Sequence, residues 1–117
     1  MTLDEARTYF ASSTAERMLG DIDAAASDAV DTYERTVARM GPYPSGVLNE
    51  YRQAGRALPA AQDAFNAAVN AIVQGRARDG RAALSAYRAF VAALLDLQRL
   101  NARNAAYVDA DVARLLE

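Results

Sequence analysis

The stretch that decides the fold is residues 81–116, which read RAALSAYRAFVAALLDLQRLNARNAAYVDADVARLL. It contains no Gly and no Pro, and it is rich in alanine and leucine, the residues that favour helix most. Apolar residues recur along it at alternating spacings of three and four, the spacing of one face of an α-helix. We therefore predict one continuous helix over 81–116.

The predicted apolar stripe of this last helix carries two polar residues in its middle. Its members are Leu84, Tyr87, Val91, Leu94, Gln98, Asn101, Ala105, Val108, Val112 and Leu115. A polar residue at such a position often fixes register or partner number. Alternatively, the stripe rolls slightly, so that Leu97 and Leu100 point inward while Gln98 and Asn101 point outward. The spacing alone leaves both possibilities open.

Further apolar residues, among them Phe90 and Leu95, lie beside this stripe, so the helix is apolar on more than one side. Such a helix is either central to a bundle or part of a subunit interface. We predict that it mediates self-association, with a two-fold dimer favoured because two-fold pairing is the commonest symmetry. The candidate interface residues are Phe90, Leu94, Leu97, Gln98, Leu100 and Asn101.

A second helix is predicted over 47–74, where a large residue and an alanine alternate. Its stripe consists of Tyr51, Ala54, Leu58, Ala61, Phe65, Ala68 and Ile72. Pro59 removes one backbone hydrogen bond and its ring meets the carbonyl of Gly55. The heptad phase continues past the proline, so we expect a bend and no reversal.

The N-terminal part predicts a short helix over 3–11 and a longer one over 14–40. Thr2 with Glu5, and Ser13 with Glu16, have the spacing of capping boxes. The longer helix has its own apolar face, made of Leu19, Ile22, Ala26, Ala29, Tyr33, Val37 and Met40. Two prolines and two glycines over 41–46 predict the turn that follows. The whole chain, 1–117, thus predicts a single all-α domain: an up-and-down bundle of three long helices plus a short N-terminal one, with heptad packing.

The loop 75–80 separates the last two long helices. Gly75 is a natural left-handed helix cap, and Asp79 is a candidate N-cap for the next helix. Arg76, Arg78 and Arg81 cluster around this loop and are candidate residues for binding an anion or an acidic partner. The alternative is a loop of solvated arginines.

The residue types that are missing exclude several kinds of chemistry. The chain has no His, no Cys and no Lys, so it can form neither a Ser-His or Cys-His pair nor a zinc site of the usual kind. Asp21 and Asp23 begin a calcium-like pattern, but alanines occupy the positions of the third ligand and of the required glycine. We expect no catalytic site, no metal and no cofactor.

Charge and hydropathy indicate the kind of partner. The net charge of −2 argues against nucleic acid, and no segment is apolar enough to cross a membrane. Residues 1–50 carry nine acids and four arginines, whereas residues 51–108 carry eight arginines and three acids. These halves attract each other either within one bundle or between subunits. Because acids and no signal sequence open the chain, we expect a soluble protein, cytoplasmic by default. All thirteen basic residues are Arg, which is typical of a GC-rich bacterial or phage genome.

Three segments resemble helices of the TolC-type outer-membrane efflux family. They are Thr2-Leu3-Asp4-Glu5-Ala6, Leu58-Pro59-Ala60-Ala61 with Gly75 beyond it, and Leu94-Leu95-Asp96-Leu97-Gln98 with Tyr107-Val108-Asp109-Ala110 and Leu116-Glu117. The chain is also similar to the opening helices of the phage head–tail adaptor class, through Thr2-Leu3-Asp4-Glu5-Ala6, Ile22-x-Ala24-Ala25-Ala26 and Val30-x-x-Tyr33. What the resemblance to the TolC type implies is helical packing alone, without a pore.

These observations favour a non-enzymatic module that acts through helix–helix contacts and forms oligomers, with itself or with another helical protein. The alternative is a small-ligand-binding protein or enzyme that uses an arginine-lined cavity between helices. An assembly module should expose an apolar strip, whereas a ligand binder should hold several convergent polar groups in a pocket.

Overall fold

The computed structural model describes residues 2–40, Tyr43 and residues 45–117. Within them the chain forms no strand and four helices: α1 Leu3–Phe10, α2 Ser13–Ala38, α3 Ser45–Val73 and α4 Arg81–Leu116. The three long helices pack on one another, most extensively α3 on α4, while α1 packs on α3 and α2. The bundle measures 62 × 26 × 17 Å. The prediction of an all-α, up-and-down bundle is confirmed.

The helix bounds agree closely with those predicted from the sequence. The helix α4 begins and ends at the predicted residues, and the ends of the other three differ from prediction by at most two residues, which is the usual uncertainty of a helix end. The predicted turn over 41–46 falls largely on Gly41, Pro42 and Pro44, which lie outside the described residues.

The helix caps follow the expected chemistry with two shifts of one residue. Thr2 Oγ1 accepts a hydrogen bond from the Glu5 amide at 3.1 Å, as predicted. Ser12, and not Ser13, caps α2, because its Oγ accepts from the Ala15 amide at 3.2 Å. Asp79 Oδ1 accepts from the Arg81 amide at 2.9 Å, but the N-cap residue of α4 is Gly80.

The end of α3 is a left-handed glycine cap, as the sequence predicts. Gly75 has a φ of 74°, a conformation that costs glycine little. The amide of Arg76 then donates to the carbonyl of Ala71 at 2.8 Å, the backward hydrogen bond that closes such a cap. The chain leaves α3 at this point and turns toward α4.

The proline in α3 does not end the helix. Pro59 lies inside the continuous helix Ser45–Val73, so the prediction that the chain does not reverse there is confirmed. The predicted stripe of α3 lies on the bundle side throughout, because Tyr51, Leu58 and Phe65 are buried and the remaining members are buried or half-buried. One continuous apolar face therefore runs on both sides of the proline.

A glycine lets α2 and α3 approach closely in the middle of the bundle. Gly55 is buried, and a Cβ placed on it would overlap the ring of Tyr33. The Tyr33 ring meets that of Tyr51 edge to face, with centroids 4.9 Å apart. This aromatic pair packs α2 against α3 at the level of the bundle where Asn101 meets Tyr51.

The buried face of α4 differs from the predicted stripe. The structure buries Ala83, Phe90, Leu97, Leu100, Asn101, Asn104 and Val108. Leu84, Gln98, Val112 and Leu115, all predicted to be on the stripe, are exposed. The buried face of α4 is therefore shifted to one side of the predicted stripe, of which Asn101 and Val108 remain buried. The reason is that α4 carries two apolar heptads in adjacent phases, and contact with both α2 and α3 selects the one that contains Phe90, Leu97 and Leu100.

Candidate functional site

The six residues predicted to form an interface lie mostly inside the chain's own bundle. Phe90, Leu97 and Leu100 are completely buried, Asn101 is buried and Leu94 is half-buried, while Gln98 is exposed. The prediction that Phe90, Leu97 and Leu100 lie beside the buried stripe is therefore wrong, because they are its centre. The alternative in which both polar residues point outward is right for Gln98 and wrong for Asn101. Self-association through α4 itself stays a prediction.

Asn101 joins all three long helices through hydrogen bonds. Its Nδ2 donates to the carbonyl of Ala29 on α2 at 3.0 Å, and its Oδ1 accepts from the Tyr51 hydroxyl on α3 at 2.5 Å. Burial raises the pKa of Tyr51, and a hydrogen bond with Thr36 lowers it in part. At neutral pH the hydroxyl is a neutral donor, so this layer is a satisfied structural contact and not an acid–base centre.

Asn104, one turn further along α4, is different. Its side chain is completely buried, yet neither its Oδ1 nor its Nδ2 forms a hydrogen bond within the described part of the chain. A buried amide without partners is costly, so this position weakens the bundle where Asn101 strengthens it. Asn104 could not be recognised from the sequence, because the predicted stripe runs through Asn101 and Ala105 and leaves Asn104 beside it.

A cavity of about 560 Å³ opens between α1, α3 and the start of α4. Most of its lining is apolar, including Leu3, Phe10, Met18, Ile72, Leu84 and Tyr87. We call it the α1 cavity. Docking of α1 on α3 creates it, since Ala6 packs there in a small cluster with Ile72 and Ala83. Sequence periodicity could not predict this cavity, because the cavity depends on where the short helix α1 docks on the bundle.

The three candidate arginines of the loop are only partly assembled at this cavity. Arg81 lines the α1 cavity, and its side chain is 93% exposed and 3.9 Å from Asp79. Arg76 is turned toward Gln74, whose Oε1 accepts two hydrogen bonds from it. Arg78 is exposed. The cavity therefore contains one arginine in an apolar lining and does not match the arginine-lined cavity of the alternative hypothesis.

The outward side of α4 carries a second, unpaired row of residues. With alternating steps of four and three, they share one face of the helix. We call this row the outer strip: Leu84, Arg88, Val91, Leu95, Gln98, Ala102, Ala105, Asp109, Val112 and Leu116. Val91 and Ala105 are half-buried, and all the others are exposed. Leu95 is 59% exposed and Leu116 is 82% exposed.

The last turns of α4 extend beyond the packed part of the bundle. From residue 109 onward only Asp111 is partly buried; it accepts a hydrogen bond from Tyr43 and pairs with Arg114. Leu115 is 85% exposed although it continues the inward face of α4. The projecting end of α4 could be expected from the sequence, because this 36-residue helix is longer than its two neighbours of 26 and 29 residues.

The charges of the two halves of the chain meet only sparingly inside the bundle. Of the ion pairs found among the described residues, Arg103–Glu50 at 2.9 Å is the one that joins two helices. The others link residues two or three positions apart. Asp23 is engaged with Gln62 on α3, whose Nε2 donates to it at 2.8 Å. Much of the charge therefore remains on the surface.

The described residues include neither a metal-binding cluster nor a helix that could cross a membrane. No cluster of three or more acidic, His or Cys side chains with metal-binding geometry occurs among them. None of the helices in the ranges that the structure describes is long and apolar enough to cross a membrane.

Comparison of the chain with models of protein families, with curated proteins and with solved structures finds no match. The resemblances to the TolC-type efflux family and to the phage head–tail adaptor class therefore stay predictions from sequence. The outer strip and the α1 cavity are the two features from which a function must be argued.

Proposed function

We propose that this protein is a non-enzymatic assembly module that associates with a second copy of itself through the outward side of α4. The observation that carries the proposal is the outer strip. Six of the seven large apolar side chains that are exposed within the described residues lie on α4: Leu84, Leu95, Tyr107, Val112, Leu115 and Leu116. A concentration of apolar surface on one element is typical of an interaction site.

Helix–helix contact is the mode of binding that suits this surface. The strip has the three–four spacing with which two helices pack side by side. Small residues, Ala102 and Ala105, lie between the larger ones and leave room for a partner helix. The helical packing implied by the resemblance to the TolC type is of the same kind.

The test compares the solution mass of the wild type with that of a Leu95→Asp, Leu116→Asp variant, by size-exclusion chromatography with light scattering. We expect a concentration-dependent dimer for the wild type and a monomer for the variant, because two charges enter an apolar contact. Both residues are exposed, so the variant should keep its fold, which circular dichroism checks.

A matched control is Ala92→Asp, Ala110→Asp. It adds the same charges to exposed positions of α4 that lie off the outer strip, and it should dimerise like the wild type. A wild type that remains monomeric at the highest concentration reached contradicts the proposed function. A control that dissociates as fully as the Leu95→Asp, Leu116→Asp variant would show that added charge alone is responsible, and would also contradict it.

A second candidate function is the binding of an apolar small molecule in the α1 cavity. Its volume of about 560 Å³ lies within the range of ligand pockets. The lining offers few polar groups to orient a ligand, which is why this candidate ranks second. A raised melting temperature with long-chain carboxylates, lost in a Leu84→Asp variant, would support it.

A further inference from the structure

The outer strip has the same spacing when it is read in either direction. Its steps alternate between four and three about a midpoint at residue 100. In a second copy that runs the opposite way, each strip position therefore faces the position at the same distance on the other side of the midpoint. Leu84 then faces Leu116, Leu95 faces Ala105, and Gln98 faces Ala102. Each large side chain near the midpoint meets a small one, as close helix packing requires.

The charges along the strip also favour an antiparallel arrangement of the two α4 helices. Its N-terminal part carries Arg88, with Arg81 one turn before the strip begins, and its C-terminal part carries Asp109 and is followed by Glu117. Antiparallel pairing brings Arg88 within about one helical turn of Asp109 on the second copy, and Arg81 within about one turn of Glu117. Parallel pairing sets arginine against arginine and acid against acid.

These four charged groups are available for a partner. All are exposed, and Arg88, Asp109 and Glu117 form no ion pair within the ranges that the structure describes. Arg81 is only loosely paired with Asp79, at 3.9 Å. Complementary charges at the edge of an apolar contact select the orientation of a complex more than they add to its affinity.

We propose that two copies pair through their outer strips as antiparallel α4 helices about a two-fold axis near residue 100. The inference rests on the proposed self-association and assigns its register and its specificity-determining charges. The occupant is an elongated helix, since Leu84 and Leu116 are about 48 Å apart at 1.5 Å per residue, a distance that one small apolar ligand does not cover. In this arrangement the second copy's Leu116 lies beside the mouth of the α1 cavity, because Leu84 lines that cavity.

A charge exchange tests the register. The first variant is Arg81→Asp, Arg88→Asp, and the second is Asp109→Arg, Glu117→Arg. Each variant alone sets like charges opposite each other, and we expect its dimer dissociation constant to rise about a hundredfold. Mixing the two restores both sets of opposite charges, so a heterodimer of wild-type affinity is expected. At the ends of α4, Arg81→Asp and Glu117→Arg suit the helix dipole and should not weaken the fold.

The outcomes separate this inference from the proposed function. A wild type that dimerises while the mixture stays as weak as each variant alone overturns the role of the four charges and leaves self-association standing. Variants that each dimerise like the wild type overturn the antiparallel register, because parallel pairing sets like charges against each other in the wild type and in both variants alike. A monomeric wild type overturns the proposed function and this inference together.

Engineered cysteines give a second readout that needs no change of charge. The chain has no cysteine, and Leu84 and Leu116 are exposed, so Leu84→Cys and Leu116→Cys introduce single accessible thiols. Under mild oxidation, the mixture of the two variants should form a disulfide-linked heterodimer much faster than either variant forms a homodimer. Faster cross-linking within each variant alone would indicate parallel pairing and contradict the inference.

Discussion

The inward and outward faces of α4 carry similar residues but differ in burial. The inward face contains Phe90 and Leu97, which are completely buried against α2 and α3, whereas the outward face contains Leu95, which is 59% exposed. Both faces follow heptad spacing, so one helix carries two rows of which only one is used by the fold. Apolar spacing shows which residues can be packed, while the number of neighbouring helices decides which ones are.

Phe90→Ala should have the largest effect on stability. The ring is completely buried and packs on Phe65 with centroids 5.9 Å apart, so its removal leaves a cavity in the core. We expect the free energy of unfolding to fall by about 3–5 kcal/mol, measured by urea denaturation. A loss of under about 1 kcal/mol, the range of surface substitutions, would mean that the inward face is not the core.

Asn101→Leu should have the next largest effect. The substitution removes the acceptor of the Tyr51 hydroxyl and the side-chain donor to the Ala29 carbonyl, and a buried group that loses a partner costs about 1–3 kcal/mol. We expect the free energy of unfolding to fall by about 2–3 kcal/mol. A Tyr51→Phe, Asn101→Leu double variant should recover part of this loss, and no recovery would contradict the pairing.

Asn104→Leu should act in the opposite direction. Leucine has a similar branched shape, and the two amide atoms that it replaces form no hydrogen bond in the described part of the chain. We expect the free energy of unfolding to rise by about 1–2 kcal/mol. A fall of the size seen for Asn101→Leu would show that Asn104 has a polar partner.

The smallest effect on stability is expected for Leu95→Ala. Its side chain is largely exposed in the single chain, so at concentrations where the protein is monomeric the free energy of unfolding should change by less than about 0.5 kcal/mol. At concentrations where the wild type dimerises, the variant should lose stability through weaker association. An equal loss at both concentrations would contradict the assignment of Leu95 to the outward face.

Local features of the fold could be predicted from the sequence because they depend on residues close together in the chain. The bounds of α4, the cap at Thr2, the left-handed Gly75 and the continuity of α3 through Pro59 are of this kind. The phase of α4 could not be predicted, since rows of apolar residues begin at both Ala83 and Leu84. The choice between them depends on how α2 and α3 fill the space opposite.

The candidate surfaces were predictable only in part for the same reason. The excess of apolar residues on α4 is visible in the sequence, where it consists of Phe90, Leu95, Leu97 and Leu100, but the fold buries all of these except Leu95. Leu95 and Leu116 form the exposed remainder. The α1 cavity arises from the docking of a short helix, and the arginine loop beside it contributes Arg81 alone to its lining.

The most direct test of the central claim, that the outward face of α4 is an interface between copies, is sedimentation equilibrium of the wild-type chain. We expect a mass that rises with concentration to a limit of twice the 12.6 kDa of one chain, because two-fold pairing buries both outer strips. A mass that remains at 12.6 kDa up to the highest soluble concentration would contradict the account. Growth without limit beyond the dimer would contradict two-fold pairing.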